Sequence, residues 1–344
     1  MIRIGIVATS SVVPQVEFEI GTEFLKREGF QVECHPSVFG DYFFYPSPDP
    51  ERAQALIDFS KRDDLDAIWC ARGGYGATHL LPFLDRAKKQ LKTKKKKTLL
   101  GYSDATALLE WFRINLGWKT IHAPMPSLRT FSVLEHEEWR ILKALVFQSV
   151  SPKLAKKNEI ITYSHLLTPV FVPKRFSSVE APLVGGNFFV WNTLLGTKNA
   201  GNARGKILFL EEIQENVGRL NRFAHHLEQA GGLKSVRAIV LGDFLDCNDS
   251  VPQCLQNPPP DHVDLTEYLK NPPKSALTGL REVVPSNEAL DFIFKGLGDR
   301  NKIPIFRGVP AGHGPNHHSL FLGQAHRLQK NGQFHLKLSG RKPA

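Results

Sequence analysis

Short apolar runs alternate with amphipathic stretches along the first 150 residues. Ile4 to Ala8, Gln31 to Cys34, Ala67 to Cys70 and Thr98 to Gly101 read as strands, the last two ending in glycine-bearing turns. Helical patterns fall at Phe18 to Arg27, Pro50 to Ser60, Ala77 to Leu84 and Asp104 to Asn115. This alternation predicts βαβ units around a parallel sheet, a Rossmann-like α/β domain over residues 1–150. The pattern then weakens into a polar, proline-containing stretch, read as a crossover over residues 151–178. A second, smaller and β-rich α/β domain is expected over residues 179–344, with strands at Lys206 to Leu210 and Ala238 to Leu241 around a helix from Arg219 to Ala230. Pro252 to Lys274 reads as a long loop or insertion, and Ser319 to Leu322 with Phe334 to Leu338 as strands that finish a mixed sheet.

Composition narrows this picture without changing it. At 344 residues, 42% hydrophobic and 23% charged, the chain suits two folded domains rather than a disordered segment. No run approaches the ~20 apolar residues of a membrane span, and the first residues lack a secretory signal pattern, so a cytoplasmic protein is expected. Cys34, Cys70, Cys247 and Cys254 form no CxxC pair and suggest neither a disulfide framework nor a zinc site. Much of the net charge of +10 sits in Arg86 to Lys97. No aromatic residues interleave there, so a solvated basic loop is expected and nucleic acid is not.

Four short motifs could carry chemistry. Gly101-Tyr102-Ser103-Asp104 joins a strand to a helix, which suits a nucleophilic serine on a sharp turn with the Asp104 amide aimed at an oxyanion. Ser103 or Asp104 capping the helix is the plainer alternative. Arg72-Gly73-Gly74-Tyr75-Gly76 allows positive φ and close approach of main-chain amides to a ligand, or is simply a tight βα turn. It lacks the GK[ST] ending of a phosphate loop. Glu211 and Glu212 end an apolar strand, where an acid can orient a histidine, ligate a metal or face solvent. His313, between Gly312 and Gly314, could act as a general base, and His317 and His318 follow it as metal candidates or incidental neighbours.

Taken in order, these motifs resemble the LD-carboxypeptidase family, the serine peptidases of family S66. SPDPERAQAL, VGGNFFVWNTLLGT, GRLNRFAHHLEQAGG, IVLGDFLDC and IPIFRGVPAGH continue the resemblance over almost the whole chain. It implies a catalytic triad of Ser103, Glu211 and His313, with Glu212 the adjacent alternative for the acid. The oxyanion hole would be the backbone amides of Gly74 and Asp104, and Arg72, Gly73 and Tyr75 would contact substrate. The implied activity is a serine carboxypeptidase that releases terminal D-alanine from murein tetrapeptides during peptidoglycan recycling, with no cofactor or metal. A cytoplasmic homodimer is likewise implied. The family's self-immunity peptidases, which cut microcin C-like peptidyl nucleotides, are the neighbouring reading, and a muropeptide-binding protein without activity is the non-enzymatic one. The chain departs from the family pattern at Gly218 and Asn221-Arg222, where the family has a tyrosine and an Asp-Arg pair.

Overall fold

The computed structural model describes residues 1–129, 131–150, 159–164, 166–248, 259–260, 263–273 and 286–338. The chain forms two sheets flanked by helices, as the alternating pattern predicts. In the first, β1 (Arg3–Val7), β2 (Gln31–Cys34), β3 (Ala67–Cys70), β4 (Thr98–Gly101) and β5 (Lys119–His122) are mutually parallel where they pair. The runs RIGIV, AIWC and TLLG suit this placement: in β3 and β4 every residue is buried, as strands covered by helices on both faces require. The covering helices are α1 (Gln15–Arg27), α2 (Asp49–Lys61), α3 (Ala77–Lys92), α4 (Thr106–Leu116) and α5 (His136–Val150). Helix α4 stops at Gly117, whose φ of 64° is the left-handed conformation that ends helices.

The second sheet is mixed. Strands β6 (Ile160–Ser164) and β7 (Thr168–Phe171) lie at its opposite edges, and β8 (Ser178–Asn187), β9 (Ile207–Ile213), β10 (Ala238–Leu245) and β11 (Ile305–Arg307) form its parallel centre. Helices α6 (Phe188–Leu194), α7 (Val217–Gln229), α8 (Leu265–Lys270) and α9 (Ser286–Asn301) accompany these strands. The final strands divide. Strand β12 (Leu320–Leu322) returns to the first sheet and pairs antiparallel with β5, whereas β13 (Ala325–Gln329) and β14 (Phe334–Lys337) extend the second.

Three expectations change. The polar stretch from 159 to 178 contains β6 and β7, whose alternating and partly exposed residues leave no apolar run to find. The tail finishes two sheets rather than one, because β12 pairs across the molecule. The basic segment begins inside α3, which continues to Lys92. Its lysines are partly engaged: Lys88 Nζ donates to Asn115 Oδ1 at 2.6 Å, Lys95 Nζ to Asp66 Oδ1 at 2.9 Å, and Lys97 is buried with its Nζ donating to the Ser60 carbonyl at 2.8 Å. Burial lowers the Lys97 pKa to about 8. Apart from α8, most of Pro252 to Lys274 lies outside the described residues, as does Cys254. The other three cysteines are free. Among the described residues, no helix is long and apolar enough to cross a membrane.

The glycine pair at the end of β8 permits close strand and helix approach. Gly185 has φ 123°, and a Cβ there would lie 1.9 Å from the Phe209 carbonyl oxygen on β9. Gly186 has φ 149°, and its Cβ would lie 2.4 Å from Thr106 Oγ1 on α4. No rotamer change relieves a clash with backbone. Gly185→Ala is therefore expected to destabilise the protein by about 2 kcal/mol or more, and a thermal unfolding midpoint equal to that of the parent chain would contradict the assignment.

Candidate active site

The chemistry-bearing motifs collect where the parallel strands of the two sheets end, the usual place for ligand sites in α/β folds. Strands β3 and β4 present the glycine turn and the GYSD turn, and β9 and the loop after β11 present Glu211 and His313. Ser103 has φ 58°. That left-handed backbone is uncommon for a residue with a Cβ and marks a sharp strand-to-helix turn. A Cβ on Gly73 would lie 3.1 Å from Ser103 Oγ, so the glycine turn and the serine are in near contact. Gly74 has φ 106°, and a Cβ there would fall 2.1 Å from Ser11 Oγ. Ser11 shapes the turn further, as its amide donates to the Gly73 carbonyl at 3.2 Å and its hydroxyl accepts from the Tyr75 amide at 3.3 Å.

The Asp104 side chain ties the two turns together. It is buried, and Oδ2 accepts the Ala77 amide at the start of α3 at 2.8 Å. Burial raises its pKa, opposed in part by the hydrogen bond from the Ala77 amide. Of the neighbouring residues expected to meet a ligand, Arg72 donates to the Val12 carbonyl, and Tyr75 is about half exposed beside the rings of Phe44 and Tyr45.

Across the junction, Glu211 Oε2 lies 2.7 Å from His313 Nδ1, and the carboxylate is fully buried. A neutral imidazole with its proton on Nδ1 donates to Glu211 and leaves Nε2 free to accept. Burial alone would raise the Glu211 pKa, but the His313 charge and hydrogen bond outweigh it and hold the acid below its ordinary range. Burial likewise works against charge on His313, yet Glu211 prevails and raises the histidine above 6.5. The Tyr102 ring, next to Ser103, packs against the His313 ring at 4.8 Å between centroids. Ser103 and His313 are thus brought to the same place without a hydrogen bond between them, a contact that often closes only around substrate.

Glu212 has a different task. Its Oε1 accepts Asn187 Nδ2 at 2.7 Å and the Ile213 amide at 3.0 Å, while Oε2 accepts the Phe189 amide at 2.8 Å. It therefore fastens β9 to the start of α6. Burial first, and the charge of Glu211 second, raise its pKa to about 7.

Sequence reading passed over Asp243, His122 and Tyr102 as site residues, and weighed His317 only as a metal candidate or an incidental neighbour. Asp243 sits at the irregularity in β10, accepts the Gly314 amide at 3.1 Å and so fastens the loop carrying His313. Burial, reinforced by Glu211, raises its pKa to about 6. Its visible signal was a charge inside the apolar run IVLGDFL. His122 carried no such signal, since a lone histidine at the end of a strand is ordinarily part of the core.

The LD-carboxypeptidase N-terminal domain model matches residues 4–123 and the LD-carboxypeptidase C-terminal domain model matches residues 180–281. The chain belongs to the LD-carboxypeptidase family and is a peptidase of that type. It is 35% identical over 238 residues to a putative carboxypeptidase of Rickettsia conorii, a match covering 66% of this chain and 69% of that one. It is 26% identical over 330 residues to the murein tetrapeptide carboxypeptidase of Pseudomonas aeruginosa, covering 96% and 94%. The solved structure of MccF in complex with glutamyl sulfamoyl guanosine has a TM-score of 0.72 at 21% identity, covering 99% of this chain and 97% of that one. At that identity the likeness shows the fold.

Asn187 offers a test of the carboxylate cluster. Glu212 has a folded-state pKa above its ordinary value, so its contribution to stability is greatest below pH 4.5 and is lost as pH rises through about 7. Asn187→Asp keeps the cap on the Val190 amide but replaces a donor to Glu212 with another acid. Its thermal midpoint is expected to fall further below that of the parent chain at each step from acid through neutral pH; parallel curves would sink this account.

Proposed function

We propose that this chain is a serine-type LD-carboxypeptidase that releases the terminal D-alanine of murein tetrapeptides in peptidoglycan recycling. The observation that supports it best is the buried Glu211–His313 pair, 2.7 Å between Oε2 and Nδ1, whose imidazole packs against Tyr102, the residue before a serine held at φ 58°. Neither feature is needed to cap a helix or close a loop. The murein tetrapeptide carboxypeptidase similar over nearly the full chain supplies the substrate class.

In this reading His313 Nε2 takes the proton of Ser103 as Oγ attacks the scissile carbonyl carbon. The carbonyl oxygen becomes the oxyanion, and the backbone amides of Gly74 and Asp104 hold it. Glu211 stabilises the imidazolium without itself taking the proton. Collapse breaks the C–N bond, His313 delivers the proton to the departing D-alanine nitrogen, and an ester on Ser103 remains. Water, deprotonated by His313, then releases the peptide acid. Arg72, Gly73 and Tyr75 line the approach to Ser103 and would contact substrate. The acid and base come from the second sheet and the nucleophile from the first, and one buried core that takes residues from both sheets holds them in register.

Mass-spectrometric assay of D-alanine release from murein tetrapeptide tests the reading. Ser103→Ala and His313→Ala are each expected to lower kcat by ~10⁵-fold or more, Glu211→Gln by ~10⁴-fold, and the double variant no further than the singles. Full activity in Ser103→Ala would remove the serine mechanism. Turnover of a peptidyl or aminoacyl nucleotide analogue with none of the tetrapeptide would instead assign the chain to nucleotide-conjugate cleavage.

The pH profile gives a second check. His313 must be neutral to accept a proton, and its pKa lies above the ordinary 6.5 because Glu211 outweighs burial. The acid limb of kcat/KM is therefore expected above 6.5, and Glu211→Gln should move it to lower pH. An acid limb that Glu211→Gln leaves unmoved would separate the limb from His313.

A further inference from the structure

Four buried polar atoms behind the Glu211–His313 pair lack partners. Among the described residues, Glu211 Oε1, both ring nitrogens of His122 and His317 Nε2 make no hydrogen bond. An unpaired polar atom in the interior costs about 1–3 kcal/mol, and more when it carries charge. Yet these four lie in one place. His122 Nε2 is 3.9 Å from Glu211 Oε1, and the His122 and His317 rings are 5.3 Å apart. Tyr102 packs on both rings, and Phe209 closes the remaining side of His122.

The position of His122 is informative. It ends β5 and pairs with Gly101, two residues before Ser103, in the first sheet. Glu211 belongs to β9 in the second. At 3.9 Å the two groups are too far apart for a hydrogen bond, but closure by about 1 Å would make one. The other oxygen of Glu211 is taken by His313, and His122 is a donor placed 3.9 Å from the free one.

We infer that His122 is a positioning residue for Glu211, donating its Nε2 proton to Oε1 and so aligning the acid–base pair of the second sheet with the nucleophile strand of the first. The inference deepens the serine-peptidase reading and rests on it. His122 acts on Glu211, never on substrate. The two histidines share one carboxylate with distinct duties: His313 exchanges protons with the reacting atoms, while His122 keeps its own. The groups that face His122 are Glu211, His317 and Tyr102, with Phe209 the apolar wall.

The test compares His122→Gln, whose amide can reach where Nε2 stands, with His122→Phe, which keeps ring packing but donates nothing. His122→Phe is expected to lower kcat for tetrapeptide by ~10–100-fold, the usual cost of a lost orienting partner, with KM changed less than about twofold. With one donor lost, Glu211 becomes a stronger partner of His313, so the acid limb of kcat/KM should move to higher pH. His122→Gln should restore most of kcat and the limb. Equal loss in the two variants, or none in His122→Phe, would overturn the inference.

Histidine-nitrogen NMR of the full chain gives a readout independent of activity. His122 is expected to carry its proton on Nε2, with a resonance that moves in Glu211→Gln. A proton on Nδ1, or an Nε2 signal indifferent to Glu211→Gln, would refute the contact. If the wild type releases no D-alanine while the His122 proton still responds to Glu211, the substrate reading fails and the positioning contact stands.

Discussion

The site depends on one carboxylate held where water cannot reach it. Glu211 is fully buried, and an isolated charge there would be expelled or neutralised. What keeps it ionised is the imidazole at 2.7 Å, and what keeps the imidazole there is a loop fastened by Asp243 to β10. The neighbouring Glu212 answers the same problem differently, surrounding itself with three amide donors. Two adjacent acids on one strand thus differ in function because one meets a base and the other meets a helix start.

A second constraint is backbone crowding. The turn at Ser103 has a positive φ, and a side chain at Gly73 would press within 3.1 Å of Ser103 Oγ, which favours glycine opposite Ser103. Gly74 is similarly confined by Ser11. The Asp104 carboxylate then binds the first amide of α3, so the glycine turn and the serine turn cannot drift apart independently. Geometry that a catalytic site needs is here imposed by packing that leaves little room for any other residue.

Much of this was legible in the sequence. Strands β3 and β4 of the first sheet are buried on both faces, and three of the expected ranges coincide with the observed ones from Gln31 to Gly101. The glycine turn, GYSD, the acids and the GH pair could be located because each follows an apolar run. What escaped notice lacked such contrast. Strands β6 and β7 are short and partly exposed, and α6 begins immediately after a strand with another apolar run. The contribution of His122 depends on which strand lies next to β4, and that of Asp243 on a local irregularity in β10. Neither pairing has a signature along the chain. Glu211 could not be told from Glu212 by position alone, since the choice is made by partners a hundred residues away and twenty-five residues back.

The return of β12 to the first sheet has a bearing on how the protein comes into being. Strand β5 is an open edge until Leu320 to Leu322 arrive, and these residues follow His313 in the chain. Chains generally fold from the N-terminus during synthesis. Strand β4, which leads into Ser103, can therefore take its place early, but its sheet stays incomplete, with a pairing edge exposed, until His313 has also emerged. Completion of the first sheet is thereby tied to the arrival of the segment that carries His313.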